Sequence, residues 1–120
     1  MTTVSIDHDT HTGQRVAPVL VLVQQQHSAA DEDYVRAGAV TVGLNFLLDP
    51  VYRFTAADFA TPGDADDTAS VTLNDGDADR AQSLADALDV NVALVYSAAL
   101  CTGLARLQGS AARITGPFSF

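Results

Sequence analysis

Two short segments that are apolar on every side constrain the fold of this chain more than any other feature. Residues 19–23 read Val-Leu-Val-Leu-Val, and residues 90–96 carry apolar side chains on both alternating faces. β-Branched residues favour extended structure, and a strand that is apolar on both faces is typical of the middle of a sheet. Both segments are therefore predicted to be central strands.

Further strands are predicted around these two. Residues 40–46 alternate between apolar and small or polar side chains, which is the clearest strand pattern in the chain. Residues 4–8 also alternate and are predicted to form a hairpin with residues 19–23. Residues 70–73 are a short strand candidate, and residues 52–54 are a candidate extension of the sheet.

Helix signals lie mainly in the C-terminal part of the chain. The polar run that begins at Asn74 is typical of a helix N-terminus, and the apolar residues after it have helical spacing: Ala81, Leu84, Ala85 and Leu88. A closing helix is predicted from a second apolar stripe, ended by Gly116 and Pro117: Leu100, Leu104, Leu107, Ala111 and Ile114. Residues 27–38 are predicted to be a connector or one short helical turn, and residues 61–67 an exposed loop.

Together these elements predict one α+β domain over residues 1–120, with no internal repeat. The predicted fold is a mostly antiparallel sheet of about five or six strands with two helices on one face. The element order is β-β-β-(β)-α-β-α. Two helices cover only one face of such a sheet, so the other face is predicted to be shared in a dimer.

The composition argues against several classes of partner. Fifteen acidic and six basic residues give a formal charge of −9, there is no lysine, and the six arginines are scattered along the sequence. Such a charge repels a phosphate backbone, so no nucleic-acid partner is predicted. No apolar run is long enough for a membrane span and the N-terminal residues lack a signal-peptide pattern, so we expect no membrane partner and a cytoplasmic location.

Residues 7–11 read Asp-His-Asp-Thr-His and are the first metal candidate. In a strand, His8 would face away from Asp7, Asp9 and His11, so these side chains would not converge on one ion. The favoured interpretation is a solvated strand end.

A second metal candidate matches a calcium loop in part, through four aspartates: Asp75, Asp77, Asp79 and Asp86. Such a loop needs glycine at its sixth position, where this chain has Arg80, and it ends on glutamate. Acidic residues that complement a helix dipole explain the same pattern. No metal and no cofactor are predicted.

No motif indicates an enzyme. The sequence contains neither a Gly-x-Ser-x-Gly elbow nor a phosphate-binding glycine loop. Cys101 stands among apolar residues and is predicted to be a buried, inert thiol. Four aspartates are predicted to be solvated surface carboxylates: Asp58, Asp64, Asp66 and Asp67. The three tyrosines, Tyr34, Tyr52 and Tyr96, are predicted to be packing residues. No catalytic, cofactor-binding or metal-binding residue is predicted.

The segments 19–24, 70–73 and 92–96, together with the flanking helices, resemble the proteasome assembly chaperones of the third and fourth types. The resemblance rests on element order and apolar strings rather than on a diagnostic motif. It implies a non-catalytic chaperone that pairs with a related subunit, as a heterodimer or with itself, and assists assembly of the proteasome α-ring. Two alternatives remain: a small enzyme or ligand-binding domain with a dispersed site, and a generic homodimeric interaction module.

Overall fold

The computed structural model describes residues 1–59 and 67–109, and these residues are mostly helical. The elements in chain order are β1 (Thr2–His8), α1 (Thr10–Gln14), α2 (Val16–Gln24), α3 (Glu32–Leu47), a 3-10 turn (Ala56–Phe59), β2 (Asp67–Leu73), α4 (Asp75–Leu88) and α5 (Val92–Gly109). The predicted fold class is therefore wrong, because the sheet has two antiparallel strands instead of five or six.

The two strands are far apart in the sequence and form a ribbon. β1 pairs with β2, so that Val4 lies opposite Val71 and Ser5 opposite Ser70. The predicted hairpin between residues 4–8 and 19–23 is wrong. Alternation along each strand buries one face of the ribbon, including Ile6, and leaves the other face polar.

Three predicted strands are helical. Residues 19–23 lie in α2, residues 40–46 lie in α3, and residues 92–96 form the start of α5. Most of their apolar side chains pack into the core, although Val21 is 60% exposed, so tertiary burial outweighs the modest β propensity of valine. A segment that is apolar all round is also typical of a buried helix, so the apolar pattern alone does not separate the two cases.

Two connecting segments also differ from the prediction. Residues 52–54 form no strand, and much of the polar segment 27–38 belongs to α3. Asp31 is the N-cap of α3, where its side chain accepts a hydrogen bond of 2.8 Å from the Tyr34 backbone N–H.

The remaining predicted elements are confirmed where the structure describes them. β1 and β2 include residues 4–8 and 70–73, α4 begins after Asn74, and the stripe through Leu104 is buried in α5. Two predictions lie outside the described residues. They are most of the loop at 61–67, and the continuation of the last helix through Ala111 and Ile114 to its end at Gly116 and Pro117.

The described chain is built from two similar halves, each a strand followed by helices. The first half ends in α3 and the second in α5, and these two helices pack against each other. Buried residues match between them at constant spacing: Val35 and Val95, Ala39 and Ala99, Val40 and Leu100, Gly43 and Gly103, Leu44 and Leu104, and Leu47 and Leu107. The prediction of no internal repeat is therefore wrong at the level of structure.

The crossing of α3 and α5 depends on glycine. A Cβ on Gly43 would collide with the backbone of Ala99, and a Cβ on Gly103 would collide with the backbone of Ala39. Each glycine thus packs against the alanine that lies four residues before the other glycine. This reciprocal contact relates α3 and α5 by an approximate two-fold axis.

The inner face of the ribbon is covered within the chain. α5 packs on β1 and α3 packs on β2, which buries Ile6, Ala69 and Val71. The other face of the ribbon is exposed but polar, so the bare apolar sheet face on which the predicted dimer rests is absent from the described residues, and dimerisation itself stays a prediction.

Candidate binding surface

The first metal candidate forms local protein contacts. Asp7 accepts a 2.7 Å hydrogen bond from the Thr68 hydroxyl, and the buried His8 places Nδ1 2.9 Å from the Asp9 carbonyl oxygen. Asp9 caps α1 by accepting a 2.7 Å hydrogen bond from the Thr12 backbone N–H, and hydrogen bonding to Thr12 lowers the pKa of Asp9. Among residues 1–59 and 67–109, no group of His, Cys, Asp and Glu side chains is arranged to hold a metal.

The second candidate is the start of a helix. Asn74 caps α4 by accepting a 2.7 Å hydrogen bond from the Asp77 backbone N–H. Asp77 is 5% exposed, and its carboxylate accepts hydrogen bonds from Thr41, Asn74 and Arg80. Asp75 contacts the Thr2 hydroxyl at 3.0 Å and the N-terminal amine at 3.2 Å; both interactions, the Thr2 hydrogen bond first, lower its pKa. The predicted helix N-terminus at Asn74 is confirmed, with Asp75 and Asp77 in the first turn of α4.

Two further predictions concern single residues. Cys101 is exposed, so the predicted burial of its thiol is wrong. The reason is its position on α5, where the neighbouring residues Ala99 and Leu100 face the core while Cys101 faces outward. Asp58 accepts a 2.7 Å hydrogen bond from the Thr55 backbone N–H, and Asp64 and Asp66 lie outside the described residues.

A cluster of aromatic rings lies on the surface at the C-terminal end of α3. The ring centroids of Phe46 and Tyr52 are 4.3 Å apart, and those of Phe46 and Phe54 are 5.5 Å apart. The Arg106 guanidinium lies 4.3 Å from the centroid of the Phe46 ring, which is within the range of a cation–π contact. We call Phe46, Tyr52, Phe54 and Arg106 the aromatic–arginine surface.

Arginines that are distant in sequence converge on this region. Arg80 of α4 donates a 2.7 Å hydrogen bond to the Asn45 side chain, one residue before Phe46. Arg53 is exposed and stands between Tyr52 and Phe54 in the chain. The arginines are therefore less scattered in space than they are in the sequence.

Apolar side chains extend this region into solvent. The exposed fraction is 37% for Leu48, 79% for Val51 and 42% for Tyr52. Beside them lies a cleft of about 240 Å³, lined by Val42, Asn45, Phe46, Asp49, Tyr52 and Arg106. The region therefore combines exposed apolar area, a cleft and charged groups in one place.

The sequence contains little sign of this surface. Residues 52–54 are predicted as strand, and Phe46 is predicted to face the core of a sheet. The contacts of Arg80 and Arg106 with α3 depend on tertiary packing, which no local pattern reports. The sequence feature that could have indicated this surface is the high density of aromatic residues between Phe46 and Phe59.

The outer face of the ribbon is a second exposed feature. Thr3 and Thr72 lie opposite each other, with their hydroxyl oxygens 3.2 Å apart, and the opposed Ser5 and Ser70 are exposed. This face offers hydroxyl groups for hydrogen bonding, together with the carboxylate of Asp7.

Comparison with protein-family models, curated proteins and solved structures gives no match. In the described parts of the chain, no single helix is both long enough and apolar enough to cross a membrane.

Proposed function

We propose that this chain is a non-catalytic protein-interaction module that binds its partner through the aromatic–arginine surface. The observation that supports this most is the exposed cluster around Tyr52, with the Arg106 guanidinium stacked on Phe46. Tyrosine and arginine are enriched among the residues that dominate binding energy at protein interfaces.

The surface suits an apolar side chain flanked by a carboxylate. An aliphatic or aromatic group can enter the cleft between Phe46 and Tyr52. Arg106 lines this cleft and supplies positive charge beside the Asp49 carboxylate, whereas most of the chain is acidic. We therefore propose a partner segment that carries an acidic residue next to an apolar one.

The resemblance to proteasome assembly chaperones stays a prediction, as do pairing with a related subunit and a cytoplasmic location. Residues 19–23 and 92–96, which carry the resemblance, are helical here. The proposal is therefore for protein interaction in general, and the proteasome α subunits are one class of partner that the experiment can identify.

Site-specific photocrosslinking in the native cell tests the proposal. A benzophenone amino acid replaces Tyr52 in one variant and, as a control, Val21 on α2, which is 60% exposed. We expect a defined crosslinked partner from position 52 only, and a weaker crosslink when Arg106→Gln is added. Equal crosslinking from both positions, or none from position 52, would contradict the proposal.

A second candidate function is DNA binding by the ribbon. A two-stranded antiparallel ribbon fits the major groove of DNA, and serine and threonine hydroxyls can contact bases. The outer face carries such hydroxyls at Ser5 and Ser70. Against this, affinity for DNA depends on phosphate contacts, and the chain has a charge of −9 with Asp31, Glu32 and Asp33 at the start of α3.

Fluorescence anisotropy with duplex DNA at low salt separates the two candidates. The interaction module predicts no saturable binding to mixed-sequence or native genomic fragments. Saturable binding that falls with added salt, and that is lost on Ser5→Asp but retained on Tyr52→Ala, would favour the ribbon instead.

A further inference from the structure

A polar cavity lies at the end of the ribbon where His8 pairs with Asp67. Its volume of about 480 Å³ falls in the range of small-molecule sites, roughly 300–1,000 Å³. α1 contributes Gly13 and Gln14 to its wall, and α3 contributes Arg36. It shares no described lining residue with the aromatic–arginine surface.

The histidine in this wall is positioned as a hydrogen-bond acceptor. His8 is 8% exposed, and its Nδ1 lies 2.9 Å from the carbonyl oxygen of Asp9, so in the neutral ring Nδ1 carries the proton. Nε2 then has a free lone pair. A Cβ on Gly13 would lie 3.0 Å from His8 Cε1 and 3.9 Å from Asp67 Oδ2, so the glycine keeps the space between these two side chains open.

The charges of this cavity have both signs. Arg36 contributes a guanidinium from α3, and Asp67 contributes a carboxylate from β2. Arg36 also contacts Glu32 at 3.3 Å, with exposed fractions of 24% for the Arg36 side chain and 57% for Glu32, and an i,i+4 pair that is open to solvent on one side contributes little. The guanidinium can therefore exchange this carboxylate for that of a ligand.

The other half of the molecule shows that the fold alone does not require these groups. Tyr96 of α5 stands at the position that matches Arg36 of α3, and it is 7% exposed. At the matching end of the ribbon, Asp75 binds the Thr2 hydroxyl and the N-terminal amine. The charged and hydrogen-bonding groups of the cavity thus belong to one half only.

We propose that this cavity binds a small zwitterion of the α-amino acid class. The ligand's carboxylate pairs with Arg36, and its ammonium group lies between the Asp67 carboxylate and Nε2 of His8. A simple anion would be repelled by the Asp67 carboxylate, and a simple cation would be repelled by the Arg36 guanidinium. A zwitterion satisfies both groups at once.

Calorimetry and thermal shift with the common L-amino acids test this proposal on the full chain. We expect at least one to bind, and its methyl ester and its N-acetyl derivative, which each lack one charge, to fail. Arg36→Gln and Asp67→Asn should each weaken binding on the order of 30-fold. Circular dichroism checks that both variants are folded.

Arg53→Gln is the matched control, because Arg53 is exposed and does not line this cavity, so its loss should leave the affinity unchanged. The absence of both binding heat and a rise in thermal midpoint, with every amino acid tested, would overturn the proposal. Binding of the two derivatives as tightly as the parent would overturn it as well. Both outcomes are independent of the photocrosslinking result at Tyr52.

Discussion

Replacing Gly43 by alanine tests the packing of α3 against α5. The added Cβ would collide with the Ala99 carbonyl group, which is backbone and cannot rotate away. Overpacking of this kind costs about 1–3 kcal/mol, and removing a glycine from a helix recovers about 1 kcal/mol of helix propensity. Because this collision involves backbone, we expect the upper part of that range and a net loss of about 2 kcal/mol in the free energy of unfolding.

Gly103→Ala should cost about the same, because its Cβ meets Ala39 in the mirrored contact. The double variant should lose less than the sum of the two losses, since both substitutions push the same helix pair apart.

Urea unfolding measures all three variants against a matched control. Gly76→Ala lies in α4, where the nearest atom to the added Cβ is Asn74 Oδ1 at 3.3 Å, at the end of a side chain. This variant should lose no stability and should gain up to about 1 kcal/mol, because it removes a glycine from a helix without a backbone collision. Unchanged stability of Gly43→Ala and Gly103→Ala would refute the close crossing of the two helices.

Further predictions concern single side chains. Leu104→Asp should unfold the chain in a thermal melt, since Leu104 is fully buried and truncation to alanine alone costs about 2–5 kcal/mol. Asn74→Ala should lower the unfolding free energy by about 1 kcal/mol, measured in urea, because α4 loses its cap. Calorimetric calcium titration should detect no specific site, and a micromolar site lost on Asp77→Ala would contradict the capping interpretation. Burial raises the pKa of Tyr96 above its ordinary value of 10.0, because the folded protein disfavours the charged phenolate. This contribution to the free energy of unfolding should therefore be intact below pH 10.0 and should be lost as the pH rises from there through the pKa of the folded state. Tyr96→Phe should flatten this alkaline decline in pH-dependent urea unfolding, and an equally steep decline in the variant would contradict the assignment.

Local signals in the sequence were enough for some elements. The alternation in residues 4–8 and 70–73 predicted both strands, and the capping side chain of Asn74 predicted the start of α4. These signals work because a cap or an alternating face is set by residues that are close together in the chain.

Apolar runs do not separate a strand from a helix, because burial on all sides suits both. Residues 19–23 and 40–46 are rich in valine, and their helical state depends on packing against other helices. One local signal could have corrected the second error. Asp31 followed by Glu32 and Asp33 is typical of a helix N-terminus, and α3 begins there.

The candidate surfaces were beyond sequence reasoning for a different reason. Arg106 meets Phe46, and Arg36 shares a cavity with His8 and Asp67, only because the two halves of the chain fold together. No spacing within one segment reports such contacts. The sequence indicated that familiar catalytic motifs are absent, but it did not indicate where a partner or ligand binds.

The central claim is that β1 and β2 join two similar halves in one ribbon, and disulfide formation tests it most directly. In a Cys101→Ser background, Ser5→Cys with Ser70→Cys places two cysteines at opposed, exposed positions. Ser5→Cys with Val21→Cys probes the hairpin that the sequence alone suggests. Mild oxidation, followed by mass spectrometry of the intact monomer, should give a disulfide in the first pair and leave the second pair reduced. A disulfide in the second pair and none in the first would contradict the ribbon.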